Sequence, residues 1–237
     1  MMMPSLSLDV YVGTSGWLYI WNEKGTLDWY IKNSGLNAIE LNMSFYRFPF
    51  PSTIKSWRAR GSSLRWAIKV NKLITHQFKF NERALESWRR FKSLFEPMED
   101  LIDFYLFQLP PSMKVSSIHR LEYFIEETGL SERFALEPRN MSWFGNREIV
   151  RWASNLNITL VSVDSPDFPL EIFNTSGIIY VRMHGRTAWY SHYYTYGELL
   201  EVKKRILEAR PKKVYVFFNN NTNMLENAQR MLKLFGG

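Results

Sequence analysis

Eight short β-rich runs punctuate the chain at nearly even intervals, and this spacing constrains the fold more than any other feature. They are residues 9–15 (DVYVGTS), 37–42 (NAIELN), 65–70 (RWAIKV), 102–109 (IDFYLFQL), 133–139 (RFALEPR), 158–164 (ITLVSVD), 177–184 (GIIYVRMH) and 213–220 (KVYVFFNN). Measured between strand ends at Gly13, Glu40, Lys69, Gln108, Glu137, Asp164, His184 and Asn219, the intervals are 27, 29, 39, 29, 27, 20 and 35 residues. A strand with its returning helix occupies about 30 residues. Segments of helical period fill most of the gaps. In residues 81–98, Leu85, Trp88, Phe91, Leu94 and Phe95 form one apolar stripe, and residues 116–129, 145–156, 197–210 and 222–235 are patterned alike. The interval of 20 leaves no room for a full helix, so the sixth connection is expected to be mostly loop.

Eight parallel strands alternating with helices in a chain of 237 residues describe an α/β fold, the TIM (β/α)8 barrel. An open doubly wound sheet is the competing arrangement. No linker rich in Pro, Gly or Ser divides the chain, so one domain is expected over 9–237, preceded by a flexible segment, 1–8. Residues 43–63 read as a decorated loop leading into a short helix.

Composition narrows the function classes. At 46% hydrophobic and 16% aromatic the chain can bury a sizeable core. Thirty basic against 23 acidic residues give a net charge of +7, which favours an anionic small molecule or nucleic acid as partner. The absence of cysteine excludes disulfides, thiolate catalysis and Cys-ligated metal centres, and suits a reducing cytoplasm. No apolar run approaches the ~18 residues of a membrane span, so no membrane partner is expected.

Successive strand side chains face opposite ways. In 177–184, Ile179, Val181 and Met183 share an apolar face suited to the outer helices, while Tyr180, Arg182 and His184 occupy the other. The same division sets Glu40 and Asn42 against Ile39 and Leu41, Lys69 against Ile68 and Val70, and Glu137 and Arg139 against Leu136. It also sets Ser162 and Asp164 against Val161 and Val163, while Gln108 ends its strand. Polar groups thus gather at the C-terminal strand ends, where TIM barrels build active sites. A structural network of paired charges would give a similar pattern. Burying so many charges costs several kcal/mol each unless every one is paired, which favours a site.

These residues resemble the DUF72 family, also called YecE-like proteins. The matching pieces are GTSGW (13–17) with Tyr19 and Trp21, ELNMSFYRFP (40–49), Trp57, KVNKLITH (69–76), FQLPPS (107–112), EPRNMSW (137–143), Asp164, YVRMHGR (180–186), Tyr190 with Tyr194, and FFNN (217–220). The resemblance implies a TIM barrel. It brings no established reaction, but the family barrel looks distantly similar to those of xylose isomerase and endonuclease IV, which suggests metal-assisted chemistry on sugars or sugar phosphates. The sequence has four histidines, of which only His76 and His184 fall in the matching motifs.

Three constellations carry chemistry. A divalent metal would take Glu137, Asp164 and His184, with Glu40 nearby. An anion would take the forks of Arg139 and Arg182, with Lys69 and the backbone N–H groups of GTSG. An acid–base pair would use His184 or His76 with Glu137 or Asp164. Asn42, Gln108, Asn219 and Asn220, with the rings of Tyr19, Tyr46, Trp143 and Tyr190, complete the expected substrate-binding wall. Trp189 belongs to the same group of aromatics after strand ends, and any of these rings could instead seal loops. The expectation is an enzyme acting on a phosphate-bearing sugar or nucleic-acid-related substrate by acid–base, metal-assisted hydrolysis or isomerisation. The alternative is a noncatalytic binder of nucleic acid or a phosphorylated ligand.

Overall fold

Parallel strands cannot be joined by tight turns, so each must be followed by a crossover long enough to return the chain to its starting end. The computed structural model describes residues 8–236 and realises this rule as a closed barrel. Its strands are β1 (Asp9–Thr14), β2 (Ala38–Leu41), β3 (Arg65–Lys69), β4 (Ile102–Gln108), β5 (Phe134–Glu137), β6 (Thr159–Asp164), β7 (Ile178–Met183) and β8 (Lys213–Phe218). All pair in parallel in sequence order, and β1 closes the ring on β8 from Asp9↔Lys213 to Thr14↔Phe218. Each of the eight β-rich runs contains one strand. Residues 1–7, most of the expected N-terminal segment, lie outside the described residues.

The helices are α1 (Leu27–Asn33), α2 (Pro51–Arg60), α3 (Glu82–Phe95), α4 (Ile118–Thr128), α5 (Arg147–Asn155), α6 (Tyr196–Glu208) and α7 (Met224–Leu234). Local chemistry sets their ends. Asn81 caps α3 by accepting from the Ala84 N–H, and Thr195 with Glu198 forms a reciprocal capping box on α6. Gly129, at φ +61°, ends α4. Between β6 and β7 the chain runs without a helix, as the short interval requires. The sequence pattern gave no sign of α1, whose seven residues are too few to show a period. None of the described helices is long and apolar enough to cross a membrane.

The lumen is a packed plug below a charged mouth. Ala38, Ala67, Phe104, Leu106, Ala135, Val161, Val163, Tyr180, Tyr215 and Phe217 fill it, small side chains on some strands accommodating rings from others. Phe104 stacks on Tyr180 at 5.2 Å, and Phe217 meets Tyr180 edge-on at 5.1 Å. The opposite strand faces join a much larger apolar layer under the helices. Because the N-terminal part of the lumen is filled, charged side chains two residues further along the strands can project only into the C-terminal mouth.

Candidate active site

Register decides which polar residues meet. Glu40 lies level with Ala67, Gln108 with Glu137, and Arg182 with Phe217, so these side chains share the lumen face. Arg182, fully buried, donates from Nε to Glu40 Oε2 at 2.9 Å and from Nη2 to Glu40 Oε1 at 2.6 Å, and from Nη1 to Glu137 Oε2 at 2.7 Å. Glu40 also accepts from the Tyr180 hydroxyl at 2.6 Å and the Ser15 hydroxyl at 2.5 Å. Burial disfavours the Tyr180 phenolate and Glu40 repels it, so its pKa stands well above the usual range. Burial works against the Arg182 charge, but Glu137 and Glu40 outweigh it and raise its pKa.

Glu137 has its second oxygen, Oε1, 2.7 Å from Arg139 Nη2 and 3.2 Å from His184 Nε2. Burial favours the neutral acid, but Arg139, Arg182 and His184 hold the carboxyl well below the usual range. On the other side of the His184 ring, Asn219 Nδ2 lies 3.2 Å from Nδ1. Arg139 Nη2 also lies 3.1 Å from Nε2, so Asn219 and Arg139, both donors, compete for the single lone pair of the neutral ring. Burial, Arg139 and Arg182 hold the His184 pKa well below its usual value, so the ring is neutral at pH 7. The residue is placed by its own backbone N–H, bonded to the Asp164 carbonyl at 2.8 Å.

Lys69 and Arg139 form the rim of this network, each about one-twelfth exposed. The Lys69 ammonium lies over the Phe45 ring, 4.3 Å from its centroid, and no carboxylate among the described residues is within ion-pair distance of it. Burial and repulsion from Arg182 and Arg139 lower its pKa to about 7, with Glu137 and Glu40 opposing. The Arg139 guanidinium faces the Trp189 ring at 4.7 Å, and its buried Nε has no hydrogen-bond partner. His76 stands half-buried beside Phe45, its pKa lowered by burial and by Lys69 and Arg139. Trp189 and Tyr190 close over His184, with ring centroids 5.3 and 5.6 Å away. They belong to a loop that Gly185 starts at φ +113°, where a Cβ would come within 2.5 Å of the Ala188 carbonyl oxygen.

The structure therefore gathers Glu40, Lys69, Gln108, Glu137, Arg139, Arg182, His184 and Asn219 at the mouth, with His76 and Tyr190 at its edge. Asn42 joins weakly, 3.5 Å from Arg182 Nη2, and Tyr19 donates its hydroxyl to the Ser15 carbonyl. Asn42 and Tyr19, with Ser15, also line a cavity of about 150 Å³ between the ends of β1 and β2.

Other expected site residues lie elsewhere. Asp164 is level with Met183 while Val163 is level with Arg182, so the valines of β6 face the lumen and Asp164 faces the helices. There it pairs with Arg186 at 3.0 Å, and burial raises its pKa. Ser162 and Asp164 face the outer layer, which alternation alone could not tell from the inner one. Asn220 donates to the His192 carbonyl and to Asn227, and Trp143 is buried with its Nε1 bonded to the Met113 carbonyl. Tyr46 projects into solvent. The N–H groups of Thr14, Ser15 and Gly16 already serve Tyr30, Phe218 and Thr14 acceptors, so they are not free to cradle an anion.

The metal constellation does not assemble either. Among the described residues no three His, Asp or Glu side chains are grouped to hold an ion. Asp164 is turned away, and both Glu137 oxygens are engaged by guanidinium groups. Ser15 and Tyr180, which hold Glu40, were not among the expected site residues. Alternation puts Tyr180 on the face of Arg182, and that was its available signal. Nothing in the sequence distinguished the hydroxyl of Ser15.

The family model described as "Protein of unknown function DUF72" matches residues 11–237. A DUF72 family protein from Enterococcus faecalis V583 superposes with a TM-score of 0.83 at 20% identity over 96% of each chain. One from Thermotoga maritima MSB8 gives 0.76 at 26% identity over 97% of this chain and all of the other. A D-psicose 3-epimerase in the presence of D-fructose shares the barrel at 0.53 and 11% identity, over 95% of this chain and all of the other. No curated protein matches.

Proposed function

The chain belongs to the DUF72 family, and from that premise and the geometry of the mouth we propose an enzyme that binds a small anionic substrate there and moves protons on it. One observation carries the reading: three cations, Lys69, Arg139 and Arg182, meet two carboxylates, Glu40 and Glu137, and the two cations on the rim are the incompletely paired ones. A phosphate or carboxylate seated against Arg139 and Lys69 would balance the charge and fill the idle donor of Arg139. To take a proton, neutral His184 must release the donor on its lone pair, Asn219 or Arg139, and Glu137 would then stabilise the imidazolium against the repulsion of the two guanidinium groups. Its burial under Trp189 and Tyr190 requires that loop to swing aside when substrate enters. Phosphate-bearing sugars suit this mouth, and isomerisation or hydrolysis is the proton-transfer chemistry it supports.

Titration calorimetry with inorganic phosphate and a panel of sugar phosphates tests the binding. Arg139→Ala should weaken affinity roughly 10- to 100-fold, the worth of a charge-assisted hydrogen bond. Unchanged affinity would sink the anion reading. Turnover in the panel that His184→Asn abolishes while binding persists supports an enzyme. Binding without turnover across the panel favours a noncatalytic receptor for phosphorylated ligands, which the same rim cations and the net charge of +7 also suit.

A further inference from the structure

We propose that Lys69 is a covalent nucleophile, an amine that forms an imine with a ketone or aldehyde carbonyl of the anionic substrate. This rests on the reading of the mouth as an anion site and names the substrate class more closely. Lys69 ends β3, so its backbone is fixed by the barrel and its side chain lies on the lumen face at the mouth, the residue about one-twelfth exposed. A lysine held for its charge would be matched to a carboxylate. Here Glu40 is occupied by Arg182, Tyr180 and Ser15, and Glu137 by Arg182, Arg139 and His184, which leaves Lys69 only the face of Phe45. Desolvation and the two neighbouring guanidinium groups favour the neutral amine, with Glu137 and Glu40 opposing and His76 also within electrostatic reach.

The step balances with one proton drawn from solvent water, which is the proton the carbonyl oxygen takes. The neutral amine adds to the carbonyl carbon, forming a C–N bond as the carbonyl oxygen takes a proton. The carbinolamine then loses that oxygen as water and leaves a protonated imine on Nζ. Arg139 holds the anion of the same substrate. The cationic imine draws electrons from the adjacent carbon, whose proton His184 can accept once it releases the donor on its lone pair. That outcome is proton abstraction next to a carbonyl, the chemistry of isomerases and aldolases.

Reduction with borohydride in the presence of dihydroxyacetone phosphate, pyruvate or pyridoxal 5′-phosphate fixes the adduct, and peptide mass mapping locates it. At pH 7 an ordinary lysine is neutral in only about 0.03% of molecules, and one of pKa about 7 in half. Lys69 should therefore label at least about tenfold faster than surface lysines, less than the full difference because a less basic amine is a weaker nucleophile. Lys69→Arg should lose that adduct while the labelling of the other lysines stays as in the wild type. Labelling of Lys69 at the surface rate or below with all three carbonyl compounds overturns the inference, whether or not phosphate binds. Phosphate binding by the wild-type chain decides the anion reading separately.

Discussion

Arg182 on β7 grips Glu40 on β2 across the lumen through two parallel contacts of 2.9 and 2.6 Å, with neither side chain exposed to solvent. Nearly the full barrel diameter separates these strands in order, so the pair ties opposite walls together. Its third nitrogen reaches Glu137 on β5, which makes Arg182 the hub of the site. Removing one partner of a buried pair leaves an uncompensated charge, at about 3–5 kcal/mol. Arg182→Met should therefore destabilise by at least that amount in urea unfolding, since two carboxylates lose their partner. Tyr180→Phe, which removes one hydroxyl donor to Glu40, should cost only about 1–3 kcal/mol.

Stability should fall in acid in two steps of identifiable origin. His184 is neutral in the fold, with a pKa well below its usual value of 6.5, so protonation of the unfolded chain starts to favour unfolding as pH drops below about 6.5. Glu137 is held well below 4.5, so its contribution is complete above that value and is lost as pH falls toward its folded pKa. The His184→Asn variant should flatten the curve between about pH 6.5 and 4.5, and Glu137→Gln should flatten it below 4.5. Chemical unfolding midpoints measured from pH 8 to 3 check both, and an unchanged slope in either window would refute the corresponding assignment.

Lys69 should act in the opposite range. Its folded pKa of about 7 lies below the ordinary 10.5, so between those values the unfolded chain carries a proton that the folded chain lacks. Stability conferred by deprotonation rises with pH from about 7 to 10.5. Lys69→Met, which removes the charge and keeps most of the apolar stem, should be more stable than wild type below pH 7. The advantage should shrink steadily as pH rises, a trend that paired unfolding curves would reveal.

The strand count, closure and single missing helix were legible because βα spacing and alternation are properties of the backbone. Glu40, Lys69, Glu137 and Arg182 were legible for the same reason, as each sits at the C-terminal end of a strand whose other face is apolar. Asp164 was misplaced because β6 reverses that logic: its valines line the lumen and its polar residues meet Arg186 and the Ser162–Phe173 backbone contact outside. Period alone gives two faces and does not say which one is inside. Trp143 and Asn220 look like mouth residues by position, but the loops they belong to fold back on the barrel. Partner choice across the lumen, such as Arg182 with Glu40, depends on the shear of the closed sheet and leaves no local trace in the sequence.

Trp189 is the residue whose removal should separate access from chemistry. Its ring covers the Arg139 guanidinium at 4.7 Å and lies against His184 at 5.3 Å, while its own Nε1 is anchored to Asp167 at 2.7 Å. The anchor lies in the loop after β6, so two mouth loops are held closed by one side chain. Trp189→Ala removes both the cover and the anchor without touching a buried charge pair, and should change global stability by less than about 2 kcal/mol. His184 should then become open to diethyl pyrocarbonate, which in the wild-type chain should react chiefly with exposed His119 and half-buried His76. Peptide mapping after timed modification reads each histidine separately. A His184 that stays protected in Trp189→Ala would mean that Tyr190 and the barrel walls keep it from solvent without the Trp189 ring.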